Sequence, residues 1–191
     1  MKKKCLSFLK YAVIVLLIEI FGFNFGFIYN SIKYSKINNL ECSLEAATMY
    51  NIQYDGQKYI ADLDPQMIWS NLDLYVYGVK IEYRAKNPVD MISALYTDAQ
   101  NVEFNANAIV STSDTGIDET TLTIKKNIKD MRIDLGENIA NEFEYIKIIL
   151  NPNEFHISTA RIVAMLLIIY VLKFLFWIQR PFDFGEMNKG E

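Results

Sequence analysis

The sequence has one histidine, two cysteines, four prolines and eight glycines among its 191 residues. Cys5 and Cys42 are too few for a disulfide framework, and with the single His156 they form no metal-ligand cluster. A glycine-rich phosphate loop and a nucleophile elbow are also missing. We therefore assign no catalytic residue, no metal site and no cofactor.

Positive charge is scarce in the middle of the chain. Residues 30–160 contain eleven Lys or Arg against nineteen Asp or Glu, a balance of −8, so a nucleic-acid partner is not expected. Basic residues instead flank the central stretch: Lys2, Lys3, Lys4 and Lys10 precede it, and Lys173, Arg180 and Lys189 lie towards the other end. By the positive-inside rule this distribution predicts that both termini are cytoplasmic and the middle is outside the cell.

Two long apolar runs occupy the two ends. Residues 11–29 contain one charge, Glu19, and residues 162–178 contain one charge, Lys173. Both runs are long enough for a membrane helix. The first run is longer than a signal peptide needs and no small-residue cleavage site follows it, which favours an uncleaved signal anchor over a cleaved one.

These features predict six segments. They are a cytoplasmic basic amino terminus (1–10), a transmembrane helix (11–29), a juxtamembrane stem (30–44), an extracytoplasmic β domain (45–153), a second transmembrane helix (160–178) and a cytoplasmic tail (179–191). Asn151-Pro152 ends the last strand, and Ser158 or Thr159 is placed to cap the second helix. The β domain and the second helix are thus joined without a flexible linker.

The central stretch shows repeated strand and turn patterns. Alternation is clearest over 72–84, where Tyr75, Tyr77, Val79, Ile81 and Tyr83 share one side. Asp55-Gly56 predicts a two-residue hairpin turn, and Asp64-Pro65 and Asn87-Pro88 predict strand ends. Further strands are predicted over 89–96, 102–104, 109–110, 120–124, 131–135 and 143–150. About eight short strands predict a mainly β fold, an antiparallel, jelly-roll-like sandwich flanked by two helices.

Two stretches carry a resemblance to a known family. They are Leu17-Ile-Glu19-Ile-Phe-Gly-Phe-Asn24 in the first apolar run and the exit from Ile149 to Arg161, Ile149-Leu-Asn-Pro-Asn-Glu-Phe-His-Ile-Ser-Thr-Ala-Arg161. With a signal-anchor helix, an external β domain and then the exit into a second helix, the chain resembles the amino-terminal region of polytopic bacterial membrane proteins of the glycosyltransferase-C or YfhO-like type. The resemblance implies an external jelly roll similar to carbohydrate-binding modules, with catalytic machinery in further helices and external loops. The chain ends thirteen residues after Ile178, so we expect a non-catalytic accessory or a truncated transferase.

Carbohydrate binding requires aromatic faces beside amide or carboxylate groups. Trp69, with Asn71 and Asp73 close by in sequence, is the candidate ligand-binding set; Tyr75, Tyr77, Tyr83 and Tyr96 supply more aromatics, and Asp98 another carboxylate. A core position is the favoured interpretation of Tyr77 and Tyr83, because alternating aromatics usually face the interior of a sheet. Asp62 and Asp64 have a spacing that suits a metal or a base, but turn residues before Pro65 are the favoured interpretation.

The apolar runs contain polar groups that need partners. Glu19 lies inside the first run, and depth along two antiparallel helices predicts that it meets Lys173 or Tyr170. Gly22 with Gly26, and Ala160 with Ala164, predict close helix packing. A polytopic membrane protein is the alternative partner of Glu19.

These observations give two functional hypotheses, beside the plainer alternative of a purely structural module with no ligand. The first is a module anchored in the lipid bilayer whose external β-sandwich binds envelope polysaccharide or a partner in its assembly. The second is the amino-terminal part of a transferase that uses lipid-linked sugars.

Overall fold

The computed structural model describes residues 2–112, 118–136 and 141–178. The chain forms two compact units, one from residues up to Asn30 together with those from Glu154 onward, and one from Ser31–Asn153. The first unit contains most of the helical structure and the second contains all described strands.

The described residues contain three α-helices. The first two, α1 (Lys2–Leu17) and α2 (Phe25–Lys33), are separated by a π-helical turn over Ile18–Phe23 and by Asn24. The third, α3, runs over Thr159–Ile178. The backbone N–H of Arg161 donates to the Ser158 hydroxyl at 3.2 Å, so Ser158 is the residue that caps α3, as the sequence suggested.

The axis bends by 50° between Leu9–Phe23 and Phe25–Lys33. The first apolar run is therefore not one straight helix. Within the described residues, α3 alone is long and apolar enough to cross a bilayer by itself, with a mean hydropathy of 2.1 over Thr159–Phe176. The bent pair meets the same criterion if it is counted as one span.

In the part of the chain that the structure describes, nine antiparallel strands form a single sheet. Their bounds are β1 (Leu40–Cys42), β2 (Thr48–Tyr54), β3 (Tyr59–Trp69), β4 (Leu74–Ala85), β5 (Ile92–Tyr96), β6 (Ile109–Thr112), β7 (Glu119–Ile128), β8 (Met131–Asp134) and β9 (Asn141–Leu150). The order is β6-β5-β8-β3-β9-β4-β7, with β1 on β9 and β2 on β3. The end strands β6 and β7 contact each other, so the sheet is nearly closed. The predicted mainly β, antiparallel fold with flanking helices is confirmed.

The core follows the alternation of β4 only in part. Val79, Ile81 and Tyr83 are buried, as predicted. A register shift between Val76 and Gly78 reverses the alternation in the first half of the strand, so that Val76 is buried and Tyr77 is only half-buried. The sequence pattern alone does not reveal this bulge.

Two predicted turns differ in the structure. The hairpin between β2 and β3 is confirmed, but its loop has four residues, because Tyr54 pairs with Tyr59. Asp55 closes the loop by accepting hydrogen bonds from the backbone N–H groups of Gln57 and Lys58, both at 2.9 Å. The strand end predicted at Asp64-Pro65 is wrong, since β3 continues to Trp69 through an irregularity where Asp64 has a φ of 56°.

Other predicted boundaries fared differently. Residues 102–104 were predicted to form a strand but do not. β7 begins at residue 119 and β9 at residue 141, in both cases before the predicted start. β9 ends at Leu150, directly before Asn151-Pro152. The segment expected to be a stem, 30–44, contains the end of α2, the whole of β1 and the start of a 3₁₀ turn over Leu44–Ala46. Because β1 pairs with β9, this segment is part of the β unit.

Candidate functional site

Trp69 does not offer a binding face. Its side chain is 3% exposed, and its indole Nε1 donates to the carbonyl of Ser43 at 2.9 Å. A buried ring whose only polar atom is already bonded contributes to the core rather than to ligand binding. The prediction of Trp69 as a ligand-binding residue is therefore wrong in this structure.

Asn71 and Asp73 lie in the exposed loop between β3 and β4. Both adopt positive φ angles, 58° and 43°, which Asn and Asp tolerate better than most residues. The backbone N–H of Asn71 donates to Asp130 at 3.0 Å. These residues shape a turn, and the structure does not place them beside an exposed aromatic face of Trp69.

The tyrosines divide into two groups. Tyr83 and Tyr96 are buried in the core, as the alternation favoured for Tyr83. Tyr75 and Tyr77 are half-buried and contact Tyr34, with ring centroids 5.3 Å and 5.5 Å apart. The hydroxyl of Tyr77 donates to the carbonyl of Asn151 at 2.8 Å, so this ring stabilises the second unit.

The carboxylates of Asp62 and Asp64 satisfy groups of their own strand. Asp62 accepts from the backbone N–H of Leu63 at 2.8 Å, and Asp64 accepts from the side-chain amide of Gln66 at 2.6 Å. Nowhere in residues 2–112, 118–136 and 141–178 do three His, Cys, Asp or Glu residues come together to hold a metal. The structural interpretation of this pair accounts for the observed contacts.

The candidate binding site is a gap beside β9 that pattern reasoning missed. One side of β9 pairs with β3 only through residues 141–143 and with β1 only through residues 148–150. Along residues 144–147 no described strand pairs with β9 on this side. A depression of about 560 Å³ lies here, lined by residues 41–45, Tyr59, Ile146 and Lys147. We call it the β9 notch.

The notch combines an aromatic ring with charged groups. Tyr59 is half-buried, and its ring centroid lies 4.9 Å from that of the exposed Tyr54. Burial is the main reason why the pKa of Tyr59 is raised, with smaller contributions from Tyr54 and the charge of Glu45, so the hydroxyl remains a neutral donor. The Lys147 amine lies 3.4 Å from the Glu41 carboxylate at the rim.

The notch also contains a thiol. Burial, with a smaller contribution from the charge of Glu41, raises the pKa of Cys42 to about 12. A thiol with this pKa is almost entirely protonated at neutral pH and is a poor nucleophile. The chemistry of the notch is therefore hydrogen bonding, ring stacking and charge, which suits binding.

A second depression of about 490 Å³ lies over the irregular part of β2 and β3, and its lining includes Asn51 and Asp62. Both polar groups already hold the backbone. The Asn51 amide donates to the carbonyls of Leu63 at 2.6 Å and Asp64 at 3.3 Å. This depression has fewer groups ready to meet a ligand than the β9 notch.

The first unit contains an ion pair between Glu19 and Arg161, whose side chain is 37% exposed. Glu19 is fully buried in the π-helical turn, and its Oε1 accepts from the Nη2 of Arg161 at 2.6 Å and from the backbone N–H of Ser158 at 2.8 Å. Its Oε2 accepts from the Nε of Arg161 at 3.2 Å. Two parallel bonds of this kind make a bidentate pair. The predicted need of Glu19 for a partner is met, but by Arg161 rather than by Lys173 or Tyr170.

Asn24 extends this network across the break between the helices. Its Nδ2 donates to the carbonyls of Glu19 at 2.9 Å and His156 at 3.0 Å, and its Oδ1 accepts from the backbone N–H of His156 at 2.8 Å. The amide thus satisfies backbone groups that the π-helical turn and the segment before α3 would leave unpaired. His156 is exposed, as expected.

The other predicted helix contacts differ. The amine of Lys173 lies 4.2 Å from the ring centroid of Tyr11, and Tyr170 is exposed. A Cβ added at Gly26 would meet nothing within 4 Å, and at Gly22 it would meet only Ile18 of the same helical segment. Ala160 and Ala164 are exposed. The structure therefore does not bring these small residues together in a close helix contact, because the bend at Asn24 changes the course of the first run.

Some of the missed residues had a sequence signal. Tyr54 and Tyr59 flank the predicted hairpin turn, where aromatic pairs across strands are common. Arg161 had a signal too, because it lies at the outer end of the second apolar run. Glu41 and Lys147 had none, since their approach depends on β1 joining β9 across more than a hundred residues.

Comparison with family models and with curated proteins finds no match to this chain. Solved structures with a similar course of the chain include a low-affinity xylan-binding module from Roseburia intestinalis, at 12% identity and a TM-score of 0.40, covering 59% of this chain and 93% of that one. They also include a β-1,3-glucan-binding module from Bacillus halodurans, at 12% identity and a TM-score of 0.36; the match covers 59% of this chain and 92% of that module. A family 29 carbohydrate-binding module matches at 8% identity and a TM-score of 0.40, covering 65% of this chain and 92% of that module. At such scores the similarity decides neither a ligand nor a site.

Proposed function

We propose that this chain is a membrane-anchored module of the cell envelope whose β-sandwich binds an envelope glycan in the β9 notch, without catalysing its chemistry. The observation that carries the proposal is the composition of the notch. A half-buried tyrosine ring, a carboxylate–ammonium pair and a stretch of β9 that is unpaired on one side surround one depression of about 560 Å³.

These groups match the two kinds of surface on a sugar. The C–H face of a pyranose packs on an aromatic ring, and its hydroxyls need directed donors and acceptors. Tyr59 offers the ring, Glu41 and Glu45 offer acceptors, and Lys147 offers a donor. A volume of about 560 Å³ is in the usual range of about 300–1,000 Å³ for small-ligand sites.

Anchoring in a bilayer is supported by the surface of the helices. None of the window Thr159–Phe176 is buried, although its mean hydropathy is 2.1. An apolar helix that remains uncovered needs lipid or other apolar partners. The basic residues at both ends of the chain support cytoplasmic termini, which would put the sandwich on the outer side of the membrane.

Binding is preferred over catalysis because the reactive groups of the notch are held in unreactive states. The Glu41 carboxylate has an ammonium partner, and the pKa of Cys42 is about 12. A base or a nucleophile would need the opposite arrangement.

The test uses the full chain in lipid nanodiscs on an array of bacterial envelope glycans, followed by calorimetry on the best ligand. We expect saturable binding that weakens about tenfold in Tyr59→Leu and in Glu45→Gln, since one lost contact is worth about 1.4 kcal/mol. Tyr50→Ala and Glu103→Gln are matched controls, because both residues are exposed and outside the notch lining.

Three outcomes separate the parts of this proposal. Binding that is lost in both site variants and kept in both controls supports the notch. Binding that is kept in both site variants would show that the glycan binds to another surface of the chain. A folded chain that binds none of the glycans would contradict glycan recognition and favour a protein partner in polysaccharide assembly.

The second hypothesis is the amino-terminal part of a polytopic transferase for lipid-linked sugars. It is favoured by one observation: Glu19 and Arg161 join the first helical run to α3, while the apolar side chains of α3 stay exposed and have room for more helices. Sequencing the genomic locus tests it. Further apolar helices in the same reading frame would support the transferase, and a stop codon after Glu191 would contradict it.

A further inference from the structure

The short helix α2 has its apolar side chains on its exposed side. Phe25, Tyr29 and Ile32 are 64%, 45% and 77% exposed. Their spacing of four and three residues places them on one stripe of the helix. Phe25 and Tyr29 also stack, with ring centroids 6.4 Å apart. A helix in water would be expected to present the opposite arrangement.

The other side of α2 is used inside the first unit. The ring of Phe27 meets that of Phe155 edge-on, with centroids 5.3 Å apart. The exposed stripe lies on the opposite side of α2 from Phe27.

The ion pair of the first unit fixes the depth at which α2 begins. Glu19 bonds to Arg161 and to the backbone of Ser158, and Asn24 bonds to the backbone of His156. These three partners lie before or within the first turn of α3, where the apolar run starts. If α3 crosses the bilayer, its 20 residues measure about 30 Å, which is the thickness of the hydrocarbon core. Glu19 and Asn24 then lie at the outer edge of that core, and α2 starts beyond it.

The bend sets the direction of α2. An ordinary tilt of about 20° for the first helix, added to the 50° bend, would place α2 within about 20° of the membrane plane. An exposed apolar stripe with a tyrosine, followed by a lysine at the helix end, is the composition of a helix that lies in the headgroup region. Tyr29 has the amphipathic ring that favours this depth.

We propose that α2 is an interfacial helix whose stripe of Phe25, Tyr29 and Ile32 binds the boundary between headgroups and acyl chains of the outer leaflet. This inference depends on the membrane anchoring of the proposed function. It does not depend on glycan binding. According to this proposal, the first apolar run consists of a transmembrane helix followed by a helix on the membrane surface, and not of a single transmembrane helix.

The experiment measures the depth of spin labels in the full chain. Phe25→Cys, Tyr29→Cys and Ile32→Cys are made one at a time in a background of Cys5→Ser and Cys42→Ala, labelled, and reconstituted in vesicles of phosphatidylcholine and phosphatidylglycerol. Depth is read from the accessibility of each label to oxygen and to a water-soluble nickel chelate. Leu167→Cys, an exposed position in α3, reports the span itself.

We expect the three labels on α2 to lie about 5–10 Å deep in the boundary between headgroups and acyl chains and within about 5 Å of one another. A straight continuation of the span would spread them over about 10 Å, since each residue rises about 1.5 Å. That gradient would overturn the proposal, and so would full exposure of all three labels to the chelate. A label at Leu167 in contact with water would instead show that the membrane anchoring itself is wrong.

Discussion

Asn151 and Tyr77 are bonded to each other twice. The Oδ1 of Asn151 accepts from the backbone N–H of Tyr77 at 2.6 Å, and the Tyr77 hydroxyl donates to the carbonyl of Asn151 at 2.8 Å. The side-chain amide of Asn151 also donates to the carbonyls of Ile37 at 3.1 Å and Tyr75 at 2.9 Å. One fully buried residue at the end of β9 thus connects β4 with the segment before β1.

Replacing Asn151 should therefore destabilise the β unit strongly. Asn151→Ala leaves several buried backbone groups without partners and forces Ala into a φ of 53°, so we expect a loss of about 3 kcal/mol or more in the free energy of unfolding. Asn151→Gly tolerates this φ but lacks the side chain, so it isolates the contribution of the hydrogen bonds. Urea unfolding followed by the emission of the buried Trp69 measures both.

The matched control is Asn127→Ala on β7, where the side chain is exposed. We expect a change within about 0.5 kcal/mol for this variant. A small loss in Asn151→Ala, similar to that of the control, would show that the network around Asn151 contributes little to stability.

The pair of Glu19 and Arg161 should show energetic coupling. Removing one partner leaves the other charge without compensation, and the effect is larger for the fully buried Glu19 than for the partly exposed Arg161. Glu19→Gln and Arg161→Met should each lower the stability in detergent, and the double variant should lose less than the two single losses together. Thermal unfolding of the four proteins measures this.

Lys173→Met is the control for this cycle, because its amine lies over Tyr11 and not beside Glu19. We expect additive losses when it is combined with Glu19→Gln. Coupling of Glu19 to Lys173, or additivity of Glu19 and Arg161, would contradict the observed pairing.

The fold class followed from residue patterns because alternation and turn residues act locally. Val79, Ile81 and Tyr83 alternate, and Asn151-Pro152 ends a strand for reasons contained in the sequence itself. Irregularities escaped prediction. The register shift near Tyr77 and the continuation of β3 past Pro65 depend on which strands lie alongside.

The candidate site escaped prediction for a related reason. Trp69 was a candidate because it is an aromatic residue close in sequence to Asn71 and Asp73. Whether its ring is exposed cannot be predicted from sequence, and in the structure the ring is buried in the core. The β9 notch exists because β1 and β3 share one side of β9 and leave residues 144–147 between them. Such a gap is a property of pairing between distant segments, and the residue types around it carry no distinctive motif.

Acid should destabilise the β unit partly through Asp98. Its carboxylate accepts hydrogen bonds from the backbone N–H groups of Asn101 at 2.7 Å and Gln100 at 2.8 Å, and these bonds hold its pKa below the usual value. A lowered pKa stabilises the folded state above the unfolded pKa of about 3.9, and this contribution is lost as the pH falls towards the folded pKa. We expect the urea midpoint to fall between pH 5 and pH 3 by less in Asp98→Asn than in the wild type. Asp118→Asn, an exposed control, should keep the full wild-type fall, and an equal fall in Asp98→Asn would contradict the assignment.

Cys42 should resist alkylation in the folded protein. The pKa of its thiol is raised to about 12 from an ordinary value of 9.0, so at pH 8 the thiolate fraction is about a thousandfold lower than in the unfolded chain. In a Cys5→Ser background, the rate of reaction with iodoacetamide should be lower by about this factor without urea than with it, and should rise about tenfold per pH unit from pH 8 to pH 10. Glu41→Gln removes the neighbouring negative charge and should raise the rate, whereas Glu103→Gln should leave it unchanged. Equal rates in the folded and unfolded protein would show that the thiol is exposed, and the notch would then have a different lining from the one described.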